Sequence, residues 1–164
     1  MRTSSVRSKI EMSVLLTTKK IIKEWTDYNN HMNLSYYILV FDMGGEVILS
    51  KFKMGEHSAK TTKKSTMVVE THTTYNNEVK EGDEVDVFIS HFDHDKKRLH
   101  YKLEMYEKSK NILSATTEVL SLYIDLNFRK VAEFENEKVM IMDQFIKENK
   151  TKFKIDNLQF QINS

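Results

Sequence analysis

From residue 67 onward the sequence adopts the period-two alternation of β-strands, and this change constrains the fold more than any other feature. Apolar and polar residues alternate through 67–75, 85–90 and 98–105, and 112–125 is a long run rich in β-branched residues, Leu and Tyr. Such patterns predict strands with one buried face. The connections between them are short and polar, which favours antiparallel pairing of successive strands. The sequence therefore predicts one antiparallel sheet.

One long helical pattern precedes these strands. Apolar side chains recur at spacings of three and four over 34–52, with Asn33 as the expected N-cap and Gly55 as the expected stop. Gly44 and Gly45 lie inside this helix and should each cost roughly 1 kcal/mol relative to Ala, which close packing on the sheet would explain. The apolar arc is wide, so we expect the sheet to curl around the helix in an α+β layout.

The flanking segments complete the predicted order of elements. A strand is predicted over 13–23 and a C-terminal helix over 135–147, followed by a polar tail over 148–164 that we expect to be poorly ordered. With 164 residues and no repeat or linker, the chain is predicted to be a single domain, 1–164, whose core covers about 13–126.

Charge balance and missing residue types exclude several classes of function. Lys plus Arg number 25 and Asp plus Glu number 24, whereas a nucleic-acid binder normally carries a basic excess. No window is long enough to span a membrane, and the apolar run 14–16 is too short for a signal peptide. We therefore expect a cytoplasmic protein with no nucleic-acid or membrane partner. The chain has no Cys, which excludes disulfides and thiolate metal sites.

One group of potential metal ligands lies in a predicted hairpin turn, where His91, Asp93, His94 and Asp95 are nearly adjacent. Neighbouring side chains on one short turn rarely converge on an ion without ligands from elsewhere in the chain. We therefore expect no metal site.

The segment 24–33 is the most promising for chemistry, because it is polar and leads into the first turn of the long helix. A first turn leaves backbone N–H groups free and carries partial positive charge, which suits it to hold the oxyanion formed when a carbonyl is attacked. Asp27 is the only carboxylate between Glu24 and Asp42, and a carboxylate there can act as nucleophile or general base. From spacing alone, a turn or a cap is the commoner role for such an Asp.

The run from Trp25 to Asn33, followed by Tyr36 and Tyr37, resembles the signature of the 4-hydroxybenzoyl-CoA thioesterase-like hotdog family, and in particular its betainyl-CoA thioesterase branch. Asn30 stands where that family has Gly, and Asn is the next most tolerant residue of a left-handed backbone. Three later segments match the same branch in the same order: 70–72, 95–100 and 115–118.

The resemblance implies a hotdog fold, in which an antiparallel sheet wraps one long helix, here with an added C-terminal helix. It implies hydrolysis of a small acyl-CoA thioester, such as betainyl-CoA or a related thioester of carnitine metabolism, in a homodimer or homotetramer. No cofactor is expected, because coenzyme A belongs to the substrate. The resemblance assigns Asp27 as the catalytic carboxylate, His31 as an orienting residue, and Asn33 to the helix start whose free N–H groups form the oxyanion hole.

Candidates for substrate binding come from the same motif and from the strands: Trp25, Tyr28, Asn29, Asn30, Tyr36, Glu70, His72 and Arg98. The aromatic residues can hold a quaternary ammonium group by cation–π attraction, or they are core. Glu70 and His72 share one strand face, either beside the thioester, at a subunit interface, or facing solvent. Arg98, with Lys96 and Lys97, suits the phosphates of CoA or a solvated turn.

Two other functions fit the same fold. A hotdog hydratase or dehydratase typically carries Pro after the Asn of the motif and His five residues after the Asp, whereas here Asn30 takes the place of Pro and His31 comes four residues after Asp27. A non-catalytic acyl-CoA-binding protein would not need the carboxylate. Release of free thiol from acyl-CoAs distinguishes the three. Glu46 on the long helix is a reserve candidate for the catalytic carboxylate, and Glu118 is a weaker candidate of the same kind as Glu70 and His72.

Overall fold

The order of elements agrees with the pattern in the sequence. The structure is a computed structural model that describes residues 14–162; Ser13, where the first strand was predicted to begin, and 163–164, the end of the predicted tail, lie outside the described residues. The elements are β1 (Val14–Lys20), a 3₁₀ turn (Lys23–Trp25), α1 (Leu34–Lys51), α2 (Glu56–Thr62), β2 (Lys64–Tyr75), β3 (Glu84–His94), β4 (Arg98–Glu107), β5 (Ile112–Asp125), β6 (Lys130–Val131) and α3 (Asn136–Asn149). The predicted long helix, the four strands after it and the C-terminal helix are confirmed.

Within residues 14–162, six antiparallel strands form one sheet in the order β1–β3–β4–β5–β2, with β6 paired to the end of β5. The apolar face of α1 packs against this sheet, so that Val40 and Ile48 join Val87 and Leu103 in the buried core. A Cβ atom on Gly44 would lie 2.9 Å from Cγ1 of Val87. The glycine therefore lets the helix axis approach the sheet closely, as expected, and the sheet curls around α1 in the predicted hotdog arrangement.

The end of α1 differs from the prediction. Lys53 adopts a left-handed backbone (φ 59°), and the N–H of Met54 donates to the carbonyl of Leu49 at 2.8 Å, which is the hydrogen bonding of a left-handed helix stop. Gly55 instead precedes α2 as its N-cap. The prediction that Gly55 ends the long helix is wrong, because Lys53 adopts the left-handed conformation that ends it.

Residues 150–162 cover part of the sheet face opposite α1, which we call the outer face. The N–H of Lys154 donates to the carbonyl of Ser90 at 2.8 Å, and the N–H groups of Gln159 and Phe160 donate to the carboxylate of Glu118 at 2.8 Å and 2.9 Å. The expectation of a poorly ordered tail is wrong for these residues, because the sheet supplies buried acceptors that a polar sequence does not reveal.

The potential metal ligands of the β3–β4 hairpin point in different directions. His91 packs against His100 on the outer face, with ring centroids 5.0 Å apart, whereas Nε2 of His94 contacts Asp143 of α3 at 2.6 Å. Within residues 14–162, no group of three or more His, Cys, Asp or Glu side chains is arranged to hold a metal ion.

The helices of the described chain are all too short or too polar to cross a lipid bilayer.

Candidate active site

The motif 25–33 folds into a small closed loop that presents Asp27. The N–H of Asp27 donates to the carbonyl of His31 at 3.0 Å, and the N–H of Asn33 donates to the carbonyl of Trp25 at 2.9 Å. Asn30 at the tip has φ 60°, so it takes the left-handed conformation for which the family uses Gly. These bonds hold the carboxylate on a defined backbone, although the segment contains no regular strand or long helix.

The Asp27 carboxylate has one oxygen engaged and one available. Its Oδ1 accepts the N–H of Asn29 at 2.8 Å, which orients the group. Within residues 14–162, Oδ2 accepts no hydrogen bond from protein. A carboxylate oxygen of this kind can take a proton from water or attack a carbonyl carbon directly.

The helix start supplies the candidate oxyanion donors. Of the four backbone N–H groups from His31 to Leu34, Met32 donates to Val79 and Asn33 to Trp25, while those of His31 and Leu34 donate to no acceptor in the described part of the chain. The side chain of Asn33 accepts from the N–H of Ser35 at 3.0 Å, which confirms the predicted N-cap. Asn33 therefore positions the first turn of α1, and its own N–H is not available to substrate.

These groups border one open cleft of about 750 Å³. It is lined by Asp27, Asn29, His31, Met32, Asn33, Leu34, Tyr37, Tyr75, Asn76, Asn77 and Glu78. The cleft thus combines a carboxylate with a free oxygen, unpaired N–H groups and the positive end of the α1 dipole. That combination can activate a nucleophile and hold the oxyanion formed at a carbonyl.

Tyr37 of α1 fixes the second wall of the cleft. Its hydroxyl accepts from the N–H of Val79 at 3.2 Å and donates to the carbonyl of Asn77 over a long 3.5 Å. Its ring meets that of Tyr75 edge to face, with centroids 5.3 Å apart. Burial is the main cause that raises the pKa of Tyr37, so the phenol stays protonated at neutral pH and serves as a structural donor and acceptor.

The structure brings together only part of the predicted site. Asp27, Asn29, His31 and Asn33 line the cleft, and Asn30 shapes the turn behind them. Their assigned roles in catalysis and binding stay predictions, but their proximity follows from the loop and the helix cap described above.

The aromatic residues of the motif do not form a cage in this chain. Trp25 and Tyr36 stack on each other at 6.0 Å and pack against the core, and Tyr28 is 94% exposed. None of these three lines the cleft, and the rings that do so are Tyr37 and Tyr75. Trp25 and Tyr36 are partly buried packing residues within this chain, and their role in substrate binding stays a prediction.

Glu70 and His72 lie on the wrong face for the cleft. They pair with Leu120 and Glu118 of β5, and cross-strand partners share a face. The Glu118 side chain accepts hydrogen bonds from the tail on the outer face. Glu70 and His72 therefore also point to the outer face, away from α1. Within one chain they therefore lie away from the Asp27 cleft, exposed on an edge strand, and their role in substrate binding stays a prediction.

Arg98 and Glu46 lie far from the cleft within this chain. Arg98 is opposite Leu122 on β5, whereas Tyr75 at the cleft is opposite Ala115 on the same strand. At the rise of a strand, Leu122 and Ala115 are separated by roughly 23 Å along β5. Arg98 also donates to Asp95 at 2.6 Å. Glu46 lies twelve residues after Leu34, or about 18 Å along α1. Contact of Arg98 with CoA phosphates stays a prediction.

The pattern of the sequence missed one side of the cleft. Tyr75, Asn76, Asn77 and Glu78 line it, whereas the sequence placed 76–83 among the polar connections. Backbone bonds hold this connection against the motif: the N–H of Met32 donates to the carbonyl of Val79 at 2.7 Å, and the N–H of Glu81 donates to the carbonyl of Asn30 at 3.4 Å. An aromatic residue at the end of a strand, Tyr75, could have suggested a binding surface, but no local pattern in the sequence places it near Asp27.

Comparison with known proteins locates the chain among thioesterases. The sequence profile of the thioesterase-like superfamily matches residues 22–148. A betainyl-CoA thioesterase from Pseudomonas aeruginosa is 31% identical over 128 residues, which cover 77% of this chain and 80% of that protein.

Solved structures agree with the fold. A hypothetical protein from Staphylococcus aureus in complex with CoA superposes with a TM-score of 0.80 at 24% identity, over 93% of this chain and 96% of that one. A 1,4-dihydroxy-2-naphthoyl-CoA thioesterase from Synechocystis superposes with a TM-score of 0.71 at 14% identity, over 80% of this chain and 96% of that one. The fold predicted from the sequence is thereby confirmed.

Proposed function

This chain belongs to the thioesterase-like superfamily and is an acyl-CoA thioesterase, and on that premise we propose that it hydrolyses betainyl-CoA or a closely related short acyl-CoA with a quaternary ammonium head. The observation that carries the proposal is the 31% identity to a betainyl-CoA thioesterase over most of both chains. The cleft supports it, because two tyrosine rings line the same space as Asp27 and aromatic faces attract quaternary ammonium groups.

The proposed reaction uses the cleft as follows. The thioester carbonyl oxygen lies at the N–H of Leu34, with the N–H of His31 as a second donor. Asp27 takes a proton from water as the water oxygen attacks the carbonyl carbon, or attacks that carbon itself and forms an anhydride that water then opens. The tetrahedral oxyanion is held by the helix N-terminus. Its collapse breaks the C–S bond, and the CoA sulfur leaves as a thiolate that is protonated by solvent.

A pair of isosteric substrates tests the acyl group. Betainyl-CoA and 3,3-dimethylbutyryl-CoA differ in one atom of the acyl group: the first has a positively charged trimethylammonium nitrogen where the second has a neutral quaternary carbon. We expect kcat/KM for betainyl-CoA to be about tenfold higher, since a cation–π contact contributes about 0.5–2 kcal/mol and 1.4 kcal/mol corresponds to a factor of ten. The measurement is free-thiol release at several substrate concentrations. Equal values would contradict the proposed substrate while leaving the thioesterase class intact.

We also propose that the active protein is a dimer assembled through β2. This strand forms one edge of the sheet, and it exposes Met67, Val68 and Val69 beside the exposed Ile38 of α1. An unpaired edge with adjacent apolar side chains favours pairing with a second copy. The outer face is partly covered by the tail, which makes that face the poorer candidate for further assembly.

Light scattering after size-exclusion chromatography tests this assembly. We expect a mass near twice the 19.4 kDa of one chain, and we expect Val69→Lys to give a monomer with little thioesterase activity. Val131→Lys, a change at an exposed valine on β6, is the matched control and should leave the mass unchanged. A fully active monomer would contradict the proposal.

A further inference from the structure

The carboxylates that line the cleft are not matched by any Lys or Arg in its lining. Among the lining residues, Asp27 and Glu78 are acidic, and none is Lys or Arg. An acyl-CoA carries its phosphates on the far end of a long pantetheine arm, so the field near the thioester acts mainly on the acyl group. A negative cleft attracts a cationic acyl head and repels an anionic one.

The backbone of Glu78 is fixed by its neighbours, whereas its carboxylate is largely exposed. The hydroxyl of Tyr37 bonds to both neighbours of Glu78, accepting from the N–H of Val79 and donating to the carbonyl of Asn77. The Glu78 side chain is nevertheless 69% exposed, and its one ion-pair partner within residues 14–162 is His31, at 3.3 Å. An exposed pair of this kind contributes little to stability, so folding does not explain why a carboxylate is held at this position.

The surroundings of Glu78 suit a trimethylammonium group. Such a group has no N–H to donate, so it is recognised by net charge and by aromatic faces rather than by hydrogen bonds. Glu78 supplies the charge, and Tyr75, three residues earlier in the same wall of the cleft, supplies a ring. Asp27 cannot fill this role, because the proposed reaction places it at the carbonyl carbon.

We propose that Glu78 sets the charge selectivity of the cleft, favouring acyl groups with a positive head over neutral ones and neutral ones over anionic ones. This inference rests on the proposed function of the Asp27 cleft. It assigns Glu78 a role in specificity and none in the chemical step, so its removal should change the ranking of substrates rather than abolish hydrolysis.

Three acyl-CoAs with the same CH₂–CO–S skeleton provide the test: betainyl-CoA, 3,3-dimethylbutyryl-CoA and malonyl-CoA, with positive, neutral and negative heads. In Glu78→Gln we expect the ratio of kcat/KM for betainyl-CoA to that for 3,3-dimethylbutyryl-CoA to fall about five- to tenfold, the scale of one partly screened charge at short range. The value for the neutral substrate should stay within about twofold, and that for malonyl-CoA should rise.

Glu81→Gln is the matched control. Glu81 lies in the same connection and is exposed, but it does not line the cleft, so all three values should stay at the wild-type level. Unchanged ratios in Glu78→Gln would overturn the inference, and so would an equal loss for all three substrates, which would indicate a role through His31 or the fold.

The outcomes also separate this inference from the proposed substrate. If the wild type prefers the neutral substrate to betainyl-CoA, the proposed substrate is wrong. In that case the inference stands only if Glu78→Gln still relaxes discrimination against malonyl-CoA, and it fails if that discrimination is unchanged.

Discussion

Replacing Asp27 with Asn is expected to lower kcat for acyl-CoA hydrolysis by at least about 100-fold, because general-base assistance alone contributes about 10²–10⁴-fold and loss of a nucleophile would cost more. The fold should be retained. Oδ1 of Asp27 accepts the N–H of Asn29, and the side-chain oxygen of Asn can accept the same bond. Even loss of that bond would resemble loss of a cap, about 0.5–2 kcal/mol. The measurement is steady-state thiol release beside a binding assay for the same acyl-CoA.

Glu24→Gln controls for loss of a nearby negative charge. Glu24 is exposed on the 3₁₀ turn before the motif, and its replacement should leave kcat unchanged. If Asp27→Asn keeps more than about a tenth of the wild-type kcat, below the range of general-base catalysis, the assignment of Asp27 is wrong. Glu46 would then be difficult to invoke, since it lies about 18 Å along α1 from the cleft.

Replacing Glu118 with Ala is expected to lower the free energy of unfolding by about 3 kcal/mol, the scale of leaving buried hydrogen-bond donors without their charged acceptor. Glu118 is 0% exposed. Its carboxylate accepts from Nε2 of His100 at 2.7 Å and from the N–H groups of Gln159 and Phe160. Without it, the tail loses its anchor on the outer face. Urea denaturation measures the first effect, and the rate of proteolytic cleavage within 150–162 measures the second.

The pH dependence of stability should report the same carboxylate. Burial opposes its ionisation, but the two backbone N–H groups and His100 outweigh that effect and hold the pKa of Glu118 below its ordinary value. A Glu in the unfolded chain has a pKa of about 4.3. The contribution is therefore fully present above that pH and is lost as the pH falls through the lower folded pKa. We expect the stability of Glu118→Ala to fall less steeply below about pH 4 than that of the wild type.

Glu133→Ala is the control for the Glu118 experiments. Glu133 is exposed and forms no side-chain hydrogen bond or ion pair within residues 14–162, so its removal should change neither unfolding nor cleavage of the tail. Wild-type protection of the tail in Glu118→Ala would show that Phe153, Lys154 and the other tail contacts suffice, and the anchoring role of Glu118 would then be wrong.

Elements whose signals are local could be predicted from the sequence. The three-and-four spacing over 34–52 identified α1, and period two identified β2 to β5, because each pattern reflects the geometry of a single element. The cap at Asn33 and the left-handed turn at Asn30 are equally local, since each depends on the conformation of one or two residues. The resemblance of 25–37 to a family then connected Asp27 with chemistry that spacing alone left open.

The assignment of side chains to faces needed the tertiary structure. The pairing of β2 with β5 shifts register between Val68 and Glu70, so Val68 lines the same cavity as Tyr101 and Val119 on the α1 side while Glu70 faces outward. Strict alternation puts Val68 and Glu70 on one face. A bulge of one residue places them on opposite faces. The position of such a bulge depends on the pairing with the partner strand and cannot be predicted from one strand alone.

The sequence alone was therefore enough to identify the long helix, the strands β1 to β5, the C-terminal helix, the loop that carries Asp27 and the family to which that loop belongs. The short elements α2 and β6 were not predicted. Which distant segments meet depends instead on tertiary packing: residues 75–78 lie across the cleft from the motif, and the tail lies on Glu118. The physical reason is range. Helical and strand periods, caps and turns arise from neighbours along the chain, whereas a cleft wall and a buried anchor arise from contacts between residues 40 or more positions apart, which depend on the packing of the whole chain.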